Sequence, residues 1–225
     1  MADQGKEMSY KDLIEGFKGL STPCISDALD TLGIGGGCKG LRSVVHGTKL
    51  VGQAYTLKYT PCGTVPGTVG DYIDDVEPGD VIVIDNNGRT YCTVWGDLLT
   101  LTATMKGIAG TVIDGVCRDV ERIRELRYPI FTRGCFMMTG KERVELSEVN
   151  VPVAISDVRV NPKDIVIGDD SGVVIVPREK AVEVLNIAMQ IHQAEEAIEA
   201  EIRKGMSLRE ARKAHHYHQL QSKQK

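Results

Sequence analysis

The feature that most constrains the fold is a series of short runs, mostly of β-branched residues, between residues 49 and 176. Gly, Pro, Asn and Asp bound these runs, which is typical of β-strands separated by turns. Strands are predicted at Lys49–Tyr59, Asp80–Asp85, Gly110–Asp114, Pro129–Thr132, Val151–Ser156, Asp164–Ile167 and Val173–Val176. Helical patterns lie between some of them, so the sequence predicts an α/β or α+β fold.

Amphipathic helices are predicted near both ends of the chain and beside two of the strands. Ser9 and Ser21 precede the first two helical patterns as N-cap residues, and Gly33 ends the second. The other patterns cover Asp97–Lys106, Arg118–Arg127 and a long segment from Arg178 to about Lys204. Ser207 and Glu210 then form a capping box that begins one more helix.

Charge and hydropathy narrow the classes of function. The chain has 27 basic and 31 acidic residues, a net charge of −4, which argues against nucleic acid as the main partner. No apolar run approaches the ~18 residues of a membrane helix, and residues 1–8 are too polar for a signal peptide. We therefore expect a cytoplasmic protein without a membrane partner that binds a small molecule or another protein.

The cysteines are the next candidates for chemistry. They are Cys24, Cys38, Cys62, Cys92, Cys117 and Cys135, and no two of them form a Cys-x-x-Cys pair. Because no secretion signal is present, we expect reduced thiols that act as small core residues. One reactive thiol and a metal cluster are the alternatives.

Two glycine-rich segments resemble phosphate-binding motifs without their structural context. Gly35, Gly37 and Gly40 form a Gly-x-Gly-x-x-Gly pattern, but a helix precedes it and a strand-like segment follows, whereas a dinucleotide fingerprint needs the reverse order. Gly134–Lys141 resembles a phosphate loop, but its spacer has five residues and Glu142 replaces the Ser/Thr metal ligand. We expect a structural loop in the first segment and reject the second.

The segment from Val94 to Asp119 carries more information. Trp95, Gly96 and Asp97 open a predicted helix, whose first backbone N–H groups have no partner within the helix. Hydrogen bonding and the helix dipole make such a terminus suitable for a carboxylate. Asp97 serves equally well as an ordinary N-cap residue at this position.

A second candidate lies where the strand Gly110–Asp114 leads through a predicted Asp114–Gly115 turn to Arg118 and Asp119. Ligands of α/β proteins bind where strands end and helices begin. Arg118 offers a planar fork for a carboxylate or an enolate, and Asp119 offers a hard oxygen for Mg²⁺ or Mn²⁺. Taken alone, an Arg-Asp pair at a helix start is more often a local ion pair and helix cap than a ligand site.

The spacing of these residues changes that interpretation. Twenty residues separate Asp97 from the Arg118-Asp119 pair. This Asp-x20-Arg-Asp frame, with the segments Ser26–Asp30 and Gly168–Pro177, resembles the RraA-like family, which includes the class II 4-hydroxy-4-methyl-2-oxoglutarate / 4-carboxy-4-hydroxy-2-oxoadipate aldolases. The resemblance covers nearly the whole chain.

The resemblance implies a swivelling β/β/α-type domain over residues 1–177 with a C-terminal helical extension over residues 178–225. It implies a homotrimer or homohexamer with sites between subunits. Asp119 would hold a divalent metal, Mg²⁺ or Mn²⁺, and Arg118 would bind the pyruvyl end of an oxo-acid substrate. The implied substrate-binding loop consists of Gly96, Asp97, Leu98 and Leu99.

These residue types suit a pyruvate-releasing lyase. Cleavage of a 4-hydroxy-2-oxo acid and decarboxylation of oxaloacetate both pass through the pyruvate enolate, which a metal and an arginine stabilise. A water molecule held between the metal and Asp97 is the candidate base, and Asp114 is expected to support Arg118 or the turn. Glu195, Glu196 and Glu199 are open candidates for completing a neighbour's site.

Two other functions stay open for a chain of this family. One is a non-catalytic regulator of ribonuclease E-like RNA processing, which would not need the acidic pair. The other is a lyase or decarboxylase that acts on a sugar-acid derivative. The presence of both Asp97 and Asp119 favours catalysis.

Overall fold

The computed structural model describes residues 8–64, 67–215 and 217. The helices of these residues are α1 (Tyr10–Lys18), α2 (Thr22–Thr31), α3 (Asp97–Lys106), α4 (Val120–Glu125), α5 (Ala181–Arg203) and α6 (Leu208–Ala214). The strands are β1 (Gly37–Cys38), β2 (Arg42–Ser43), β3 (Leu50–Pro61), β4 (Val81–Thr93), β5 (Gly110–Cys117), β6 (Ile130–Cys135), β7 (Val144–Val149), β8 (Val153–Ile155), β9 (Val158–Val160), β10 (Ile165–Asp169) and β11 (Gly172–Val176).

Contacts divide the chain into two compact units. One is Gly36–Arg178, and the other combines the described parts of Met1–Gly35 and Glu179–Lys225. The sequence predicted a catalytic domain (1–177) and a C-terminal extension (178–225). This division stays a prediction. The α/β class with a C-terminal helix is confirmed.

The unit built from the two ends of the chain is helical. Ser9 and Ser21 cap α1 and α2 by accepting hydrogen bonds from backbone N–H groups, as predicted. Helix α2 packs against α5, and each buries an apolar stripe. The capping box of Ser207 and Glu210 is present at α6, also as predicted.

A mixed sheet forms the unit Gly36–Arg178. Its centre is four parallel strands in the order β3-β4-β5-β6. Strands β10, β11 and β1 extend the sheet beyond β3 with antiparallel pairing, and β2 pairs with β6 in the same sense. The distal half of β3 pairs with β7.

Both faces of the central strands are buried, which explains their continuous apolar sequence. Along β4, Ile82 and Ile84 enter one core cluster, whereas Val81 and Val83 enter the other. Adjacent residues of a strand point to opposite faces, so each face receives alternate side chains. The ends of β4 and β5 are therefore held in place by the apolar cores on both faces of the sheet.

Two predicted strand ends are wrong for the same reason. The run Asp80–Asp85 was expected to end in a turn, but β4 continues to Thr93 because Asn87 (φ 50°) and Gly88 (φ 65°) are accommodated by a shift in register. The expected Asp114–Gly115 turn is likewise part of β5, whose register against β6 shifts between Ile113 and Val116. In both places, residues that are typical of turns lie inside paired strands, where they cause a local irregularity in the pairing.

The cysteines follow the prediction only in part. All six are free, and Cys24, Cys38, Cys92 and Cys117 are buried. Burial raises the pKa of Cys24 and of Cys38 to about 12. The expected core role is wrong for Cys135, which is exposed at the end of β6.

No helix within the described residues is long and apolar enough to cross a membrane.

Candidate functional site

The residues singled out by the sequence meet at the carboxyl ends of two adjacent parallel strands. Helix α3 follows β4, and α4 follows β5. The loops that enter these helices carry Gly96 and Asp97 in one case and Arg118 and Asp119 in the other. Parallel pairing of β4 with β5 thus brings residues 22 positions apart to one edge of the sheet.

Gly96 is the N-cap residue of α3, and Asp97 is its first helical residue. Two of the helix's first N–H groups already have carboxylate partners. The Asp97 N–H donates to Asp119 Oδ2 (3.0 Å), and the Leu98 N–H donates to Asp97 Oδ1 (2.8 Å). Within the described residues the Leu99 N–H has no acceptor. The helix start is therefore an anion-binding terminus occupied here by the protein's own carboxylates.

Asp119 has an unusual backbone conformation. It lies in the left-handed region (φ 56°, ψ 43°) at the start of α4, and its side chain makes no cap hydrogen bond to that helix. A non-glycine residue there carries strain of about 1 kcal/mol. The turn directs the carboxylate toward α3, where Oδ2 lies 3.4 Å from Arg118 Nε. Both side chains keep more than a third of their surface exposed.

A cavity of about 410 Å³ opens beside this pair. Its lining comes from the segments that follow β3, β4, β5 and β6, so it lies at the carboxyl edge of all four parallel strands. The lining residues are Gly67, Thr68, Val69, Gly70, Asp71, Thr93, Val94, Trp95, Gly96, Asp97, Leu98, Leu99, Arg118, Thr139 and Lys141. Gly96, Asp97, Leu98, Leu99 and Arg118 thus share one cavity, and Asp119 contacts it through Asp97 and Arg118.

The charged groups of this lining balance. Arg118 and Lys141 are cationic, and Asp71 and Asp97 are anionic. The cavity therefore has no net electrostatic attraction for a polyanionic substrate. Attraction arises if a cation binds in the cavity, or if the substrate displaces the carboxylates from Arg118 and the helix start.

Trp95 fixes the loop that enters α3. It is buried, stacks on Tyr128 with ring centroids 5.7 Å apart, and donates from Nε1 to Thr100 Oγ1 (2.9 Å). The Thr100 hydroxyl in turn donates to Gly96 O (2.8 Å). Burial raises the pKa of the Tyr128 phenol, which therefore stays neutral and shares a hydrogen bond with Thr111. A rigid, fully buried group thus supports the helix start.

Replacing Thr100 with Val tests this support. The substitution leaves the buried Trp95 N–H without an acceptor, so we expect the free energy of unfolding to fall by about 1–3 kcal/mol. Thr102→Val is the matched control, because the Thr102 hydroxyl donates to Leu98 O from a half-buried position of the same helix, whereas Thr100 is fully buried. That variant should stay within about 0.5 kcal/mol of the wild type. Equal losses in urea unfolding of both variants would contradict the proposed support.

Asp114 does not support Arg118, contrary to the sequence-based expectation. Its carboxylate pairs with Arg133 Nε and accepts a hydrogen bond from Ser156 N–H (2.9 Å). The reason is that β5 continues past Asp114, so its side chain faces a different part of the molecule from Arg118. Asp114 is a buried structural carboxylate.

The acidic candidates of the C-terminal helix have partners within their own unit. Glu195 accepts from the Tyr217 hydroxyl (2.7 Å), Glu196 lies 3.5 Å from His192, and Glu199 pairs with Arg203. Their expected contribution to a neighbour's site stays a prediction.

Sequence reasoning did not single out Thr139 and Lys141, which also line the cavity. Both lie in the segment that had been rejected as a phosphate loop, and they reach the cavity because they follow β6. The position of a segment after a parallel strand was the available signal, and it is independent of the motif.

The described residues contain no group of three or more His, Cys, Asp or Glu side chains that could hold a metal ion. Such a cluster is not required for Mg²⁺, which is commonly bound by one or two carboxylates with water and substrate oxygens. Asp119 Oδ1 has no hydrogen-bond donor within the described part of the chain, so this carboxylate can bind such a cation. The residues present therefore fit a hydrated divalent cation.

The fold and the site together define an α/β protein with a cavity at the carboxyl edge of its parallel strands. The RraA-like family model (Aldolase/RraA) matches residues 22–175, and the chain belongs to this family.

Individual relatives agree with this assignment. The chain is 45% identical over 198 residues to Protein DlpA of Legionella pneumophila, a match that covers 87% of this chain but 32% of DlpA. It is 33% identical over 191 residues to a protein of Halalkalibacterium halodurans named "Putative 4-hydroxy-4-methyl-2-oxoglutarate aldolase", with 85% and 89% of the two chains covered. The chain thus spans about a third of the length of DlpA and most of the second relative.

A solved structure gives the fold independently. RraAS2 of Streptomyces coelicolor, described as an unusual member of the RNase ES inhibitor RraA protein family, superimposes with a TM-score of 0.73 at 32% identity. The match covers 85% of this chain and 97% of that structure. The predicted RraA-like fold is therefore confirmed.

Proposed function

We propose that the chain is a divalent-metal-dependent lyase that cleaves a 4-hydroxy-2-oxo acid, similar to 4-hydroxy-4-methyl-2-oxoglutarate, to pyruvate, and that it also decarboxylates oxaloacetate. The observation that carries the proposal is that Arg118 and the start of α3 line one cavity and that Asp119 contacts both of them. The name of the Halalkalibacterium halodurans relative supports the substrate class.

Both reactions require stabilisation of one developing oxyanion beside a carboxylate. Arg118 supplies a charged planar donor for that oxygen or for the carboxylate, and its side chain is 39% exposed, so a substrate has access to it. The Leu99 N–H supplies a second donor at the α3 terminus. A donor aimed at a developing oxyanion contributes about 3–4 kcal/mol to transition-state stabilisation.

Asp119 is the residue that would hold the metal, Mg²⁺ or Mn²⁺, and Asp97 would hold a water molecule beside it. When bound, the cation adds positive charge where the enolate oxygen develops. Asp119 is preset for this role by its left-handed backbone, which places its carboxylate 3.0 Å from the Asp97 N–H.

Asp97 also has a role in proton transfer. Its Oδ1 accepts from the Leu98 N–H, which fixes the carboxylate at the rim of the cavity while the residue stays exposed. An aspartate carboxylate is a weak base alone. Asp97 therefore acts by holding a water molecule that takes the C4 hydroxyl proton of the substrate.

The protein functions as a homotrimer or homohexamer in this proposal. Leu98, which lines the cavity beside Arg118, is 74% exposed in the single chain. Large apolar side chains beside a site are typical of surfaces that another subunit covers. Light scattering of the purified protein measures the assembly.

The experiment is a pyruvate-coupled assay over a panel of 4-hydroxy-2-oxo acids and oxaloacetate. We expect pyruvate release with Mg²⁺ or Mn²⁺ and none in EDTA, with recovery when metal is returned. No release from any member of the panel in the presence of metal would overturn the proposal, and release that EDTA leaves unchanged would overturn its metal dependence.

Gly96→Ala probes the close approach of the two loops. A Cβ at Gly96 would lie 2.7 Å from Asp119 Oδ2 and 3.2 Å from Arg118 Nε, so both side chains must move. The backbone at Gly96 is extended (φ −154°) and accepts alanine, so the effect is confined to this contact. A displacement approaching 1 Å costs roughly 10- to 100-fold in the rate of pyruvate release.

The control for Gly96→Ala is Gly37→Ala, where an added Cβ has no neighbour within 4 Å. This variant should release pyruvate at the wild-type rate, and both variants should unfold near the wild-type midpoint. A Gly96→Ala protein with full activity would show that the loops tolerate separation.

A second candidate function is regulation of an RNA-processing enzyme, because the RraAS2 structure is described as that of a member of an RNase inhibitor family. Binding of such a partner by the surface does not use the acidic pair. A double Asp97→Ala, Asp119→Ala variant that loses pyruvate release supports the lyase, whereas a variant that keeps an inhibitory effect on a ribonuclease supports the regulator.

A further inference from the structure

Two cysteine side chains are in contact next to Arg118, one of them from the residue that precedes it in the chain. Cys117 and Cys135 are the last residues of β5 and β6 and are direct Cα partners across the parallel ladder. Their Sγ atoms lie 3.9 Å apart. We propose that this pair is a modification site, which a hydroperoxide oxidises reversibly to a disulfide, and that the disulfide inactivates the adjacent cavity. The inactivation rests on the proposed function, whereas the disulfide does not.

The backbone geometry permits the bond. Neighbouring strands are about 4.8 Å apart, and disulfides bridge Cα atoms that are about 4.4–6.8 Å apart. Paired residues of parallel strands project to the same face, so both sulfurs stand on one side of the sheet. The two sulfurs must approach by about 1.8 Å to reach the bond length of a disulfide. Rotation of the side chains with a small movement of the strand ends supplies this distance.

The two thiols differ in access, which sets the order of events. Cys135 is exposed and lines a second cavity of about 410 Å³, whereas Cys117 is fully buried. Phe136 and Met137 also line this cavity. A hydroperoxide therefore reaches the Cys135 sulfur first, and Cys117 is in contact with the product of that reaction.

The chemistry balances with the hydroperoxide as the only oxidant. Transfer of one oxygen atom converts the Cys135 thiol to a sulfenic acid and releases water or an alcohol. The Cys117 sulfur then attacks the Cys135 sulfur, the S–S bond forms, and the hydroxyl group leaves as water with the Cys117 proton. A dithiol such as dithiothreitol reverses the step by thiol–disulfide exchange.

The disulfide is coupled to the proposed catalytic residues through the backbone. Cys117 is bonded to Arg118, whose N–H donates to Trp95 O (3.1 Å), and Cys117 O accepts from Phe136 N–H (2.9 Å). Drawing the Cys117 sulfur toward β6 moves the segment that carries Arg118 and Asp119. Displacement of catalytic groups by about 1 Å costs on the order of 100-fold in rate.

The test treats the full-length protein with hydrogen peroxide and maps its tryptic peptides without reduction. Cys117 and Cys135 fall in residues 107–118 and 134–141, each with no other cysteine. We expect a linked peptide of these two segments in the wild type and in Cys62→Ser, and its absence in Cys135→Ser. Free thiols should fall by two, as one disulfide requires, and dithiothreitol should restore them.

Pyruvate release gives the second readout. We expect oxidised wild type to lose on the order of 100-fold in rate and to recover in dithiothreitol, while Cys135→Ser keeps its activity in peroxide. Recovery in dithiothreitol distinguishes the disulfide from oxidation of Met137 and Met138, because dithiothreitol does not reduce methionine sulfoxide under these conditions.

Two outcomes overturn the proposal. Oxidation of Cys135 to an acid while peptide 107–118 stays unmodified excludes the disulfide, even if the protein releases no pyruvate from any substrate. A complete link that leaves pyruvate release unchanged excludes the inactivation. The peptide map does not depend on the substrate, so failure of the proposed function is seen separately.

Discussion

Replacement of Asp119 by Asn is expected to lower pyruvate release by roughly 100- to 1,000-fold while the fold is retained. Asn is tolerated in the left-handed backbone conformation that Asp119 adopts (φ 56°). Its side-chain oxygen still accepts the hydrogen bond from the Asp97 N–H, so the loop geometry is kept. What is lost is the negative charge that would hold the divalent cation.

The measurement is the rate of metal-supported pyruvate release, with the unfolding midpoint as a check on the fold. Asp119→Ala loses both the charge and the contact with Asp97, and it should be equally inactive but less stable than Asp119→Asn. Asp74→Asn is the matched control, because Asp74 is exposed and lies away from the cavity lining. A fully active Asp119→Asn protein would remove Asp119 from the proposed metal site.

The second large effect is expected for Arg118→Lys. The positive charge remains, but the planar fork that binds a carboxylate or enolate through two N–H groups is lost, so kcat should fall by roughly 100-fold. The fold should be unaffected, because the Arg118 side chain is 39% exposed and its ion-pair partner, Asp119 Oδ2, lies 3.4 Å away.

Steady-state kinetics separates the possible roles of Arg118. A lower kcat with an unchanged KM indicates an interaction made in the transition state, whereas a higher KM alone indicates uniform substrate binding. Arg122→Lys is the control, since Arg122 pairs with Glu125 (2.8 Å) on the following helix. If Arg118→Lys and Arg122→Lys have the same small effect, charge alone suffices and the fork has no role.

Much of the local structure was predictable, because the capping and terminating residues of the helices favour the same conformation that the fold requires. Helix α3 has the predicted limits, Asp97–Lys106, and it ends at Gly107, which adopts the left-handed conformation (φ 71°) that glycine accepts readily. The capping box at Ser207 similarly begins α6. The spacing of Asp97 and Arg118 correctly brought these residues to one site, because a strand between two helix starts returns the chain to the same edge of the sheet.

The errors lie where long-range pairing overrides local preference. Asn87 and Gly88 have the sequence of a turn, yet they lie inside β4, because β5 pairs with residues on both sides of them. The partner of Asp114 was predicted incorrectly because Arg133 comes from another strand and Ser156 from a later loop. Lys141 reaches the cavity only through the position of β6 in the sheet. None of these pairings is encoded by spacing along the chain.

The central claim is that this site stabilises the enolate of pyruvate, and exchange of the pyruvate methyl protons in D₂O tests it most directly. The measurement needs no knowledge of the natural substrate, because enolate formation from pyruvate itself replaces its C3 protons with deuterium. We expect proton NMR to show loss of the methyl signal with wild-type protein and Mg²⁺, no loss in EDTA, and a roughly 100-fold slower loss with Arg118→Lys. Exchange no faster than in buffer with the metal alone would contradict the claim.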